Sequence, residues 1–293
     1  MIYREDMRKL TRRRIFSRSS AGWIALIVSL ILLFGGAEQT FASLQAVEKT
    51  DSRDGTIRIL MIGNSYTGYN NLPGMLQKIC TGKGKKVEVA AVTKQGSCLR
   101  DFASRTTDVG KKVHRLLEKQ NWAYVILQER HYYPLTNASG MEKAVCSLLP
   151  YIEAAGAQIA LYMTWAPKKG HTDYQVYSSL VSGRYSYQKK VALTYRKIAD
   201  KAGAILIPVG IAFQNVMKEK KSLSLIRSDK IHPTKLGSYL AACTMYAAIF
   251  HESPEGAAAG TLNKNTASFL QRMGWRTWNK TRYNIKGDLL GYE

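Results

Sequence analysis

Short apolar runs and longer segments of mixed apolar and polar residues alternate along most of this chain. Short runs rich in β-branched residues predict strands, and the longer segments between them are typical of helices. The predicted strands cover residues 57–62, 86–92, 122–128, 157–163 and 204–208. The predicted helices cover residues 71–82, 107–120, 140–155 and 186–202, then a segment from Pro233 to Phe250 and one further segment at 265–278.

The alternation of strands and helices predicts an α/β fold. Parallel strands joined by right-handed crossover helices are expected from this order of elements. Five short strands fit a flavodoxin-like, three-layer, doubly wound sheet of about five parallel strands. In such a sheet, ligands bind beyond the carboxyl ends of the strands, so polar residues at those ends are the first candidates for function.

The first strand leads directly into Gly63-Asn64-Ser65. A serine at this position lies where open α/β sheets bind ligands. The alternative interpretation is that Gly63 permits a tight turn and that Ser65 or Thr67 caps the next helix. The choice between them depends on whether other segments supply partners for the Ser65 hydroxyl.

The N-terminal residues have the layout of an export signal. Basic residues between Arg8 and Arg18 precede an uncharged stretch at 19–37, which is followed by Glu38 and by the pattern Thr40-Phe41-Ala42, where cleavage after a small residue is expected. This pattern predicts a signal peptide over residues 1–42, with a retained membrane anchor as the alternative. Residues 43–55 are polar and predict a linker, which leaves 56–293 as one domain. Either interpretation places that domain outside the cytoplasm, secreted or anchored to the cell surface.

The chain is strongly basic, with a formal net charge of +22 over 293 residues, and residues 43–293 alone keep +18. A basic exported domain is attracted to anionic polymers, so an acidic cell-surface polymer is a candidate partner. The lysines are spread over loops and helix ends, without a recognition motif, and are equally explained as solvated faces. No nucleic-acid partner is therefore expected.

The cysteines do not predict a metal or redox site. Cys80, Cys98, Cys146 and Cys243 have no CxxC spacing and no neighbouring histidine. Three of them, Cys80, Cys146 and Cys243, lie in apolar helical segments, where a buried free thiol is the commoner state. We therefore expect no metal and no organic cofactor, and no disulfide is assigned.

A serine hydroxyl needs a base and an orienting acid before it becomes a useful nucleophile. Asp229 precedes His232 by three residues, in a segment that enters a helix at Pro233. An Asp at this spacing can hold imidazole Nδ1 and leave Nε2 free for Ser65. The alternative is that Asp229 and Pro233 only shape the start of the helix.

Two further strand ends offer donors for an oxyanion. The backbone N–H of Ser65 is the first donor, and Gly96, just after the second strand, is the second, because a residue without a side chain lets the backbone approach a substrate. The amide of Gln128, at the end of the third strand, is the third. A long connection after the fourth strand carries Trp165 and Tyr174, which are predicted either to stack on a substrate or to pack the loop onto its own domain.

These motifs together resemble the SGNH, or GDSL-type, serine hydrolases. Gly63-Asn64-Ser65 matches the first block with Asn64 in place of the usual Asp, Gly96 stands at the second-block glycine, and the segment from Asp229 to Pro233, followed by Gly237, matches the last block. The third block, usually Gly-x-Asn-Asp, reads here Leu-Gln-Glu-Arg over 127–130, so Gln128 replaces the family's asparagine by analogy.

The resemblance spans roughly residues 57–250 and implies a serine esterase, which the pattern of residues 1–42 predicts to be exported. It assigns Ser65 as nucleophile, His232 as base and Asp229 as orienter, and it makes Asn64 a substrate-binding candidate. The implied substrate is an O-acyl ester, such as an acetyl ester on a carbohydrate or another small molecule. Two alternatives stay open: a basic surface-binding module without turnover, and an acyltransferase that uses the same triad.

Overall fold

Five parallel strands form the centre of the fold in the computed structural model, which describes residues 55–283. The predicted leader, 1–42, and all of the predicted linker except Gly55 lie outside the described residues. The strands are β1 Ile57–Gly63, β2 Val87–Thr93, β3 Tyr124–Leu127, β4 Gln158–Tyr162 and β5 Ile205–Ile207. Each of them ends within two residues of its predicted bounds.

The helices between the strands also follow the predicted order. The longer ones are α2 Leu72–Gly82, α4 Asp108–Lys119, α6 Ala138–Ala154, α8 Arg184–Ala202, α9 Val209–Glu219, α10 Lys235–Phe250 and α11 Lys264–Tyr283. Four single-turn helices lie in connections for which the sequence predicts no helix: α1 Ser65–Gly68, α3 Leu99–Ala103, α5 Tyr133–Thr136 and α7 Asp173–Val176. Helix α9 was also missed, because its apolar residues follow β5 with only Pro208 between them.

The sheet order is β2-β1-β3-β4-β5, with every pair parallel. Ile59 of β1 lies between Val89 of β2 and Tyr124 of β3, so β1 is a central strand. The order reverses direction between β1 and β3, which is the position where doubly wound sheets bind ligands. The predicted α/β doubly wound fold is confirmed.

Helices cover both faces of the sheet, and alternate residues of each strand supply the two layers of the core. Ile57, Ile59 and Met61 pack on the side of α2, α9, α10 and α11, while Leu60 and Ile62 pack on the side of α3, α4, α6 and α8. This alternation follows from the period of two along a strand. It explains why the central strands β1, β3 and β4 are apolar along most of their length.

Helix α10 is buried on all sides because α2, α9 and α11 all contact it. Gly274 lets α11 approach closely, since a Cβ there would lie 3.0 Å from the backbone nitrogen of Thr244 and 3.1 Å from Cys243. The predicted segment 265–278 is therefore one longer helix that packs against α10. Leu270 is fully buried, while Phe269 and Trp275 are only partly buried.

The four cysteines are unpaired in the structure. Cys80 and Cys243 are buried as expected, and burial raises the pKa of both thiols. Cys146 is exposed, which corrects the expectation of burial, because it lies on the outer face of α6. Within residues 55–283, every helix is too short or too polar to cross a lipid bilayer.

Candidate active site

The turn that carries Ser65 is built from Gly63 and Asn64 at the end of β1. Asn64 caps α1, its Oδ1 accepting a hydrogen bond from the Tyr66 N–H at 3.1 Å. A Cβ on Gly63 would lie 2.5 Å from both Gln128 Oε1 and Thr67 Oγ1, so only glycine fits. Ser65 is the first residue of α1 and is partly exposed at the carboxyl end of the sheet.

The segment that carries His232 is a closed loop between Ile226 and Pro233, which form an isolated antiparallel bridge. The Arg227 N–H donates to the His232 carbonyl at 2.9 Å. Within the loop, Asp229 Oδ1 accepts hydrogen bonds from the N–H groups of Ile231 and His232 at 3.1 and 3.0 Å. This Asx turn fixes the aspartate relative to the imidazole and explains the three-residue spacing.

The structure brings Ser65, His232 and Asp229 into one hydrogen-bonded chain. Ser65 Oγ lies 2.9 Å from His232 Nε2, and His232 Nδ1 lies 2.9 Å from Asp229 Oδ2. Burial would raise the pKa of Asp229, but the hydrogen bonds from His232 and Ile231 outweigh it and lower that pKa. With an ionised carboxylate on Nδ1, that nitrogen carries the proton and Nε2 is left to accept the proton of Ser65.

Two backbone N–H groups near Ser65 are suited to bind a developing oxyanion. In residues 55–283, neither the Ser65 N–H nor the Gly96 N–H has a hydrogen-bond acceptor. Gly96 is exposed and has a φ of +67°, a left-handed conformation that favours glycine. Both residues are where the sequence places them, after β1 and after β2.

Gln128 is placed differently from the sequence prediction. It is buried, and its Oε1 accepts from the Asn64 N–H and the Thr67 hydroxyl, both at 2.9 Å. Its Nε2 donates to Asn64 Oδ1 at 3.0 Å and to the Glu129 carbonyl. Since both amide hydrogens are engaged inside the protein, Gln128 has no donor left for an oxyanion. It braces the turn beneath Ser65 instead.

The three predicted substrate-binding residues also face the protein interior. Asn64 is 2% exposed, and its Nδ2 donates to the Ser97 carbonyl at 3.0 Å. Trp165 is fully buried, stacks on Phe213 with ring centroids 4.0 Å apart, and donates from its indole N–H to the Ile231 carbonyl at 3.0 Å. The predicted stacking of Trp165 on a substrate is therefore corrected, because this side chain supports the loop that carries His232.

Tyr174 corresponds to the second of its two predicted roles. Its hydroxyl donates to the Pro167 carbonyl at 2.7 Å, and its ring makes an edge contact with Tyr187. Burial raises the pKa of Tyr174 to about 12, so the phenol stays protonated. The side chain folds the long connection after β4 back onto its own domain.

Sequence reasoning missed the aromatic support of His232. Tyr69 stacks on the imidazole with centroids 4.5 Å apart and an interplanar angle of 16°. Asn70, with a φ of 56°, donates from Nδ2 to the Pro233 carbonyl at 3.1 Å and to Ser238 Oγ at 2.9 Å. The segment after Ser65 thus holds the segment after His232. In the sequence, only the position of Tyr69, four residues after Ser65, indicates that this ring lies near the site.

A buried polar cluster links the connection after β4 to the segment after β3. Asp173 accepts from Tyr187 at 3.0 Å and lies 3.1 Å from ring nitrogens of both His131 and His171. Burial would raise the pKa of Asp173, but the partners, His131 first, lower it overall. The His131 ring stacks on Tyr66, which directly follows Ser65. The cluster therefore supports, through Tyr66, the turn that carries Ser65.

No group of three or more His, Cys, Asp or Glu side chains in the described part of the chain is arranged to hold a metal ion. The groups available at the site are a serine hydroxyl hydrogen-bonded to a histidine, a carboxylate on the other ring nitrogen of that histidine, and two backbone N–H donors. This set matches acyl transfer through a covalent acyl-serine.

Comparison with known proteins gives structural relatives. A protein from Slackia heliotrinireducens assigned as an SGNH hydrolase is 28% identical, with a TM-score of 0.59 over 66% of this chain and 99% of its own. A DUF4886 family protein from Bacteroides uniformis, 19% identical, gives a TM-score of 0.62 over 81% of this chain and 100% of its own.

A third relative shares the fold: a protein from Parabacteroides merdae assigned as a GDSL-like lipase, 16% identical, has a TM-score of 0.52 over 71% of this chain and 100% of its own. No protein-family model and no curated protein matches the chain. The relatives support a hydrolase of this fold. The chain has the fold of the SGNH, or GDSL-type, hydrolases, and its likeness to the relative at 28% identity supports an assignment to that family.

Proposed function

We propose that this protein is a serine esterase that cleaves O-acyl esters with Ser65 as nucleophile, His232 as base and Asp229 as the orienting carboxylate. The observation that carries the proposal is the 2.9 Å separation of Ser65 Oγ and His232 Nε2, continued by the 2.9 Å contact of His232 Nδ1 with Asp229. These distances are within reach for direct proton transfer. Ser65 follows the carboxyl end of β1, and the loop between α9 and α10 brings His232 into contact with it.

In the first step, Ser65 Oγ attacks the ester carbonyl while His232 Nε2 takes the hydroxyl proton. The negative charge that develops on the carbonyl oxygen is bound by the N–H groups of Ser65 and Gly96. Collapse of the tetrahedral intermediate breaks the bond to the alcohol, which takes its proton from His232. In the second step, His232 deprotonates water, which attacks the carbonyl carbon of acyl-Ser65. The bond from that carbon to Ser65 Oγ then breaks, Oγ takes the proton back from His232, and the carboxylic acid is released.

Several features bear on the substrate and the location. The proposed substrate is a small O-acyl ester, such as an acetyl group on a carbohydrate, which follows from the family resemblance. The proposed place of action is outside the cytoplasm, because of the basic and apolar residues of 1–42. Fractionation of the producing cells tests the location, and recovery of the protein only in the cytoplasm contradicts it.

The mechanism is tested by ester turnover and by covalent labelling. The purified protein should hydrolyse 4-nitrophenyl acetate, and Ser65→Ala should lower kcat at least about a thousandfold. A fluorophosphonate should add one label, located on Ser65 by peptide mass spectrometry. Ser147→Ala is the matched control, because the Ser147 hydroxyl only donates within its own helix, to Lys143.

The outcomes separate the proposal from its alternatives. Equal rates for wild type and Ser65→Ala contradict the mechanism. No turnover, no labelling and salt-sensitive binding to an anionic polymer together identify a binding module without catalysis. Preferential transfer of the acyl group to an added alcohol, in competition with water, identifies an acyltransferase.

A further inference from the structure

Arg227 lies over Tyr69, the aromatic ring that in turn lies over His232. The guanidinium carbon is 5.5 Å from the centroid of Tyr69, and the Tyr69 and His232 centroids are 4.5 Å apart. The Arg227 backbone is held by its hydrogen bond to the His232 carbonyl. The arginine is therefore positioned by the same loop that positions the base.

The donors of this guanidinium are not used inside the described part of the protein. The Arg227 side chain is 51% exposed, and no hydrogen bond from it is formed with any residue in 55–283. Its one ion-pair partner there is Asp229, with Nε 3.9 Å from Oδ2, beyond hydrogen-bond distance. That oxygen is already bonded to His232. The planar donors of Arg227 are thus free to bind a carboxylate or phosphate in bidentate fashion.

The charges at this edge of the sheet are unbalanced. The carboxylates in the surrounding segments are buried or already hydrogen-bonded within the protein. Glu129 and Asp173 are buried, Asp101 accepts a hydrogen bond from the Cys98 N–H, and Asp229 is hydrogen-bonded to His232. Basic residues in the same segments are exposed or partly exposed, and they include Lys94, Arg130, Lys168, Lys169 and Lys230. A site with this balance attracts anions.

Two of these cations are tied to the catalytic turns by their backbones. The Lys94 N–H donates to the Gly63 carbonyl at 3.2 Å, two residues before the nucleophile. The Lys230 carbonyl accepts from the Lys168 N–H at 2.8 Å, and the Lys230 ammonium donates to the Gly170 carbonyl at 2.7 Å. Lys230 is thereby engaged, whereas the Arg227 side chain forms no hydrogen bond with any residue in 55–283.

We infer that the ester substrate carries a negatively charged group, a carboxylate or a phosphate, which Arg227 binds beside the Tyr69–His232 stack. This inference rests on the proposed esterase function and specifies its substrate class. Arg227 acts in specificity: it binds the charged part of the substrate while Ser65 attacks the acyl carbon. The uncharged amide analogue of such a substrate lacks this contact.

The kinetic test compares three acetyl esters of similar leaving groups: 3-carboxyphenyl acetate, 3-acetoxyphenyl phosphate and the neutral 3-carbamoylphenyl acetate. In the wild type, kcat/KM should be higher for at least one anionic ester than for the neutral ester, and this preference should shrink with added salt. The ratio of anionic to neutral kcat/KM should fall about tenfold in Arg227→Gln. Which anionic ester is preferred distinguishes the carboxylate from the phosphate.

Two variants control for indirect effects. Arg227→Lys keeps the charge but not the planar donors, and should retain part of the preference. Arg115→Gln removes an exposed arginine on α4, and should leave the ratio within about twofold of wild type. An equal fall with the anionic and the neutral esters in Arg227→Gln would assign Arg227 to support of the triad and overturn the inference, as would an unchanged ratio.

A binding experiment keeps the inference separate from the esterase proposal. Isophthalate and 3-carbamoylbenzamide are titrated calorimetrically into the full-length wild type and Arg227→Gln. Isophthalate should bind the wild type more tightly than the neutral diamide, and this difference should be lost in the variant. Equal binding of both compounds to the wild type overturns the inference whether or not esters are hydrolysed. Binding without Ser65-dependent turnover would instead contradict only the esterase function.

Discussion

Replacing Gln128 by leucine should lower the free energy of unfolding, because it removes the hydrogen bonds that hold the turn carrying Ser65. The buried amide of Gln128 forms four hydrogen bonds: it accepts from the Asn64 N–H and the Thr67 hydroxyl, and it donates to Asn64 Oδ1 and the Glu129 carbonyl. Leucine has a similar volume but no polar atoms. The substitution therefore removes the hydrogen bonds without opening a large cavity.

The size of the effect follows from the groups left without partners. Asn64 Oδ1 keeps its bond from Tyr66, and the Thr67 hydroxyl can rotate, but the buried Asn64 N–H and Glu129 carbonyl lose the partner that the structure gives them. A buried polar group without a partner costs about 1–3 kcal/mol. Two such groups predict a loss of about 4 kcal/mol in the free energy of unfolding.

Urea denaturation followed by tryptophan fluorescence measures this loss. Gln175→Leu is the control, because Gln175 is exposed on α7 and its side chain forms no hydrogen bond in the described part of the chain; its effect should stay within about 0.5 kcal/mol. Ester turnover by folded Gln128→Leu should also fall, because the Ser65 turn loses its support.

The same experiment separates bracing from direct oxyanion binding. Loss of an oxyanion donor lowers kcat by about 100- to 1000-fold and need not change stability. If Gln128→Leu loses less than about 1 kcal/mol of unfolding free energy while kcat falls by that factor, the reasoning from the hydrogen bonds is refuted and the original assignment of Gln128 as a donor is restored.

Three further predictions follow from the site and its support. Asp229→Asn should lower kcat at least about a hundredfold, because His232 loses the carboxylate that holds its proton on Nδ1. The pKa of Asp229 is lowered on folding, so the wild type should lose stability relative to Asp229→Asn as pH falls below about 4. Urea unfolding over this pH range measures the difference. Burial raises the pKa of Glu129 to about 7, so between about pH 4.5 and 7 the Glu129 carboxyl group is protonated in the folded state and ionised in the unfolded state. The wild type should therefore lose stability relative to Glu129→Gln as pH rises through this range. Parallel profiles of unfolding free energy against pH would contradict this. Trp165→Phe keeps an aromatic ring but loses the hydrogen bond to the Ile231 carbonyl and part of the buried volume of the indole. The unfolding free energy should therefore fall by at least about 1–2 kcal/mol, and kcat should fall more than KM changes. A rise in KM alone would favour the substrate-stacking role.

The strands and helices, and the residues Ser65, Asp229 and His232, can be predicted from the sequence because the features that indicate them are short-range. A central parallel strand is apolar on both faces, so short apolar runs along the chain predict where the strands lie and, between them, the helices. Ser65 follows β1 directly, and the Asp229–His232 spacing creates an Asx turn that needs no distant partner. Such short-range features predict where the nucleophile, the base and the orienting acid lie along the chain.

The direction in which each buried polar side chain points was decided only by the tertiary structure. The sequence prediction assigned Gln128 to the oxyanion and left Trp165 between stacking on a substrate and packing within the domain. Their hydrogen bonds are completed by Asn64 and Ile231 from other segments. The stack of Arg227 on Tyr69 likewise joins residues 158 positions apart along the chain. A polar side chain goes where its donors and acceptors are satisfied, and for these residues the partners are supplied by the packing of the fold.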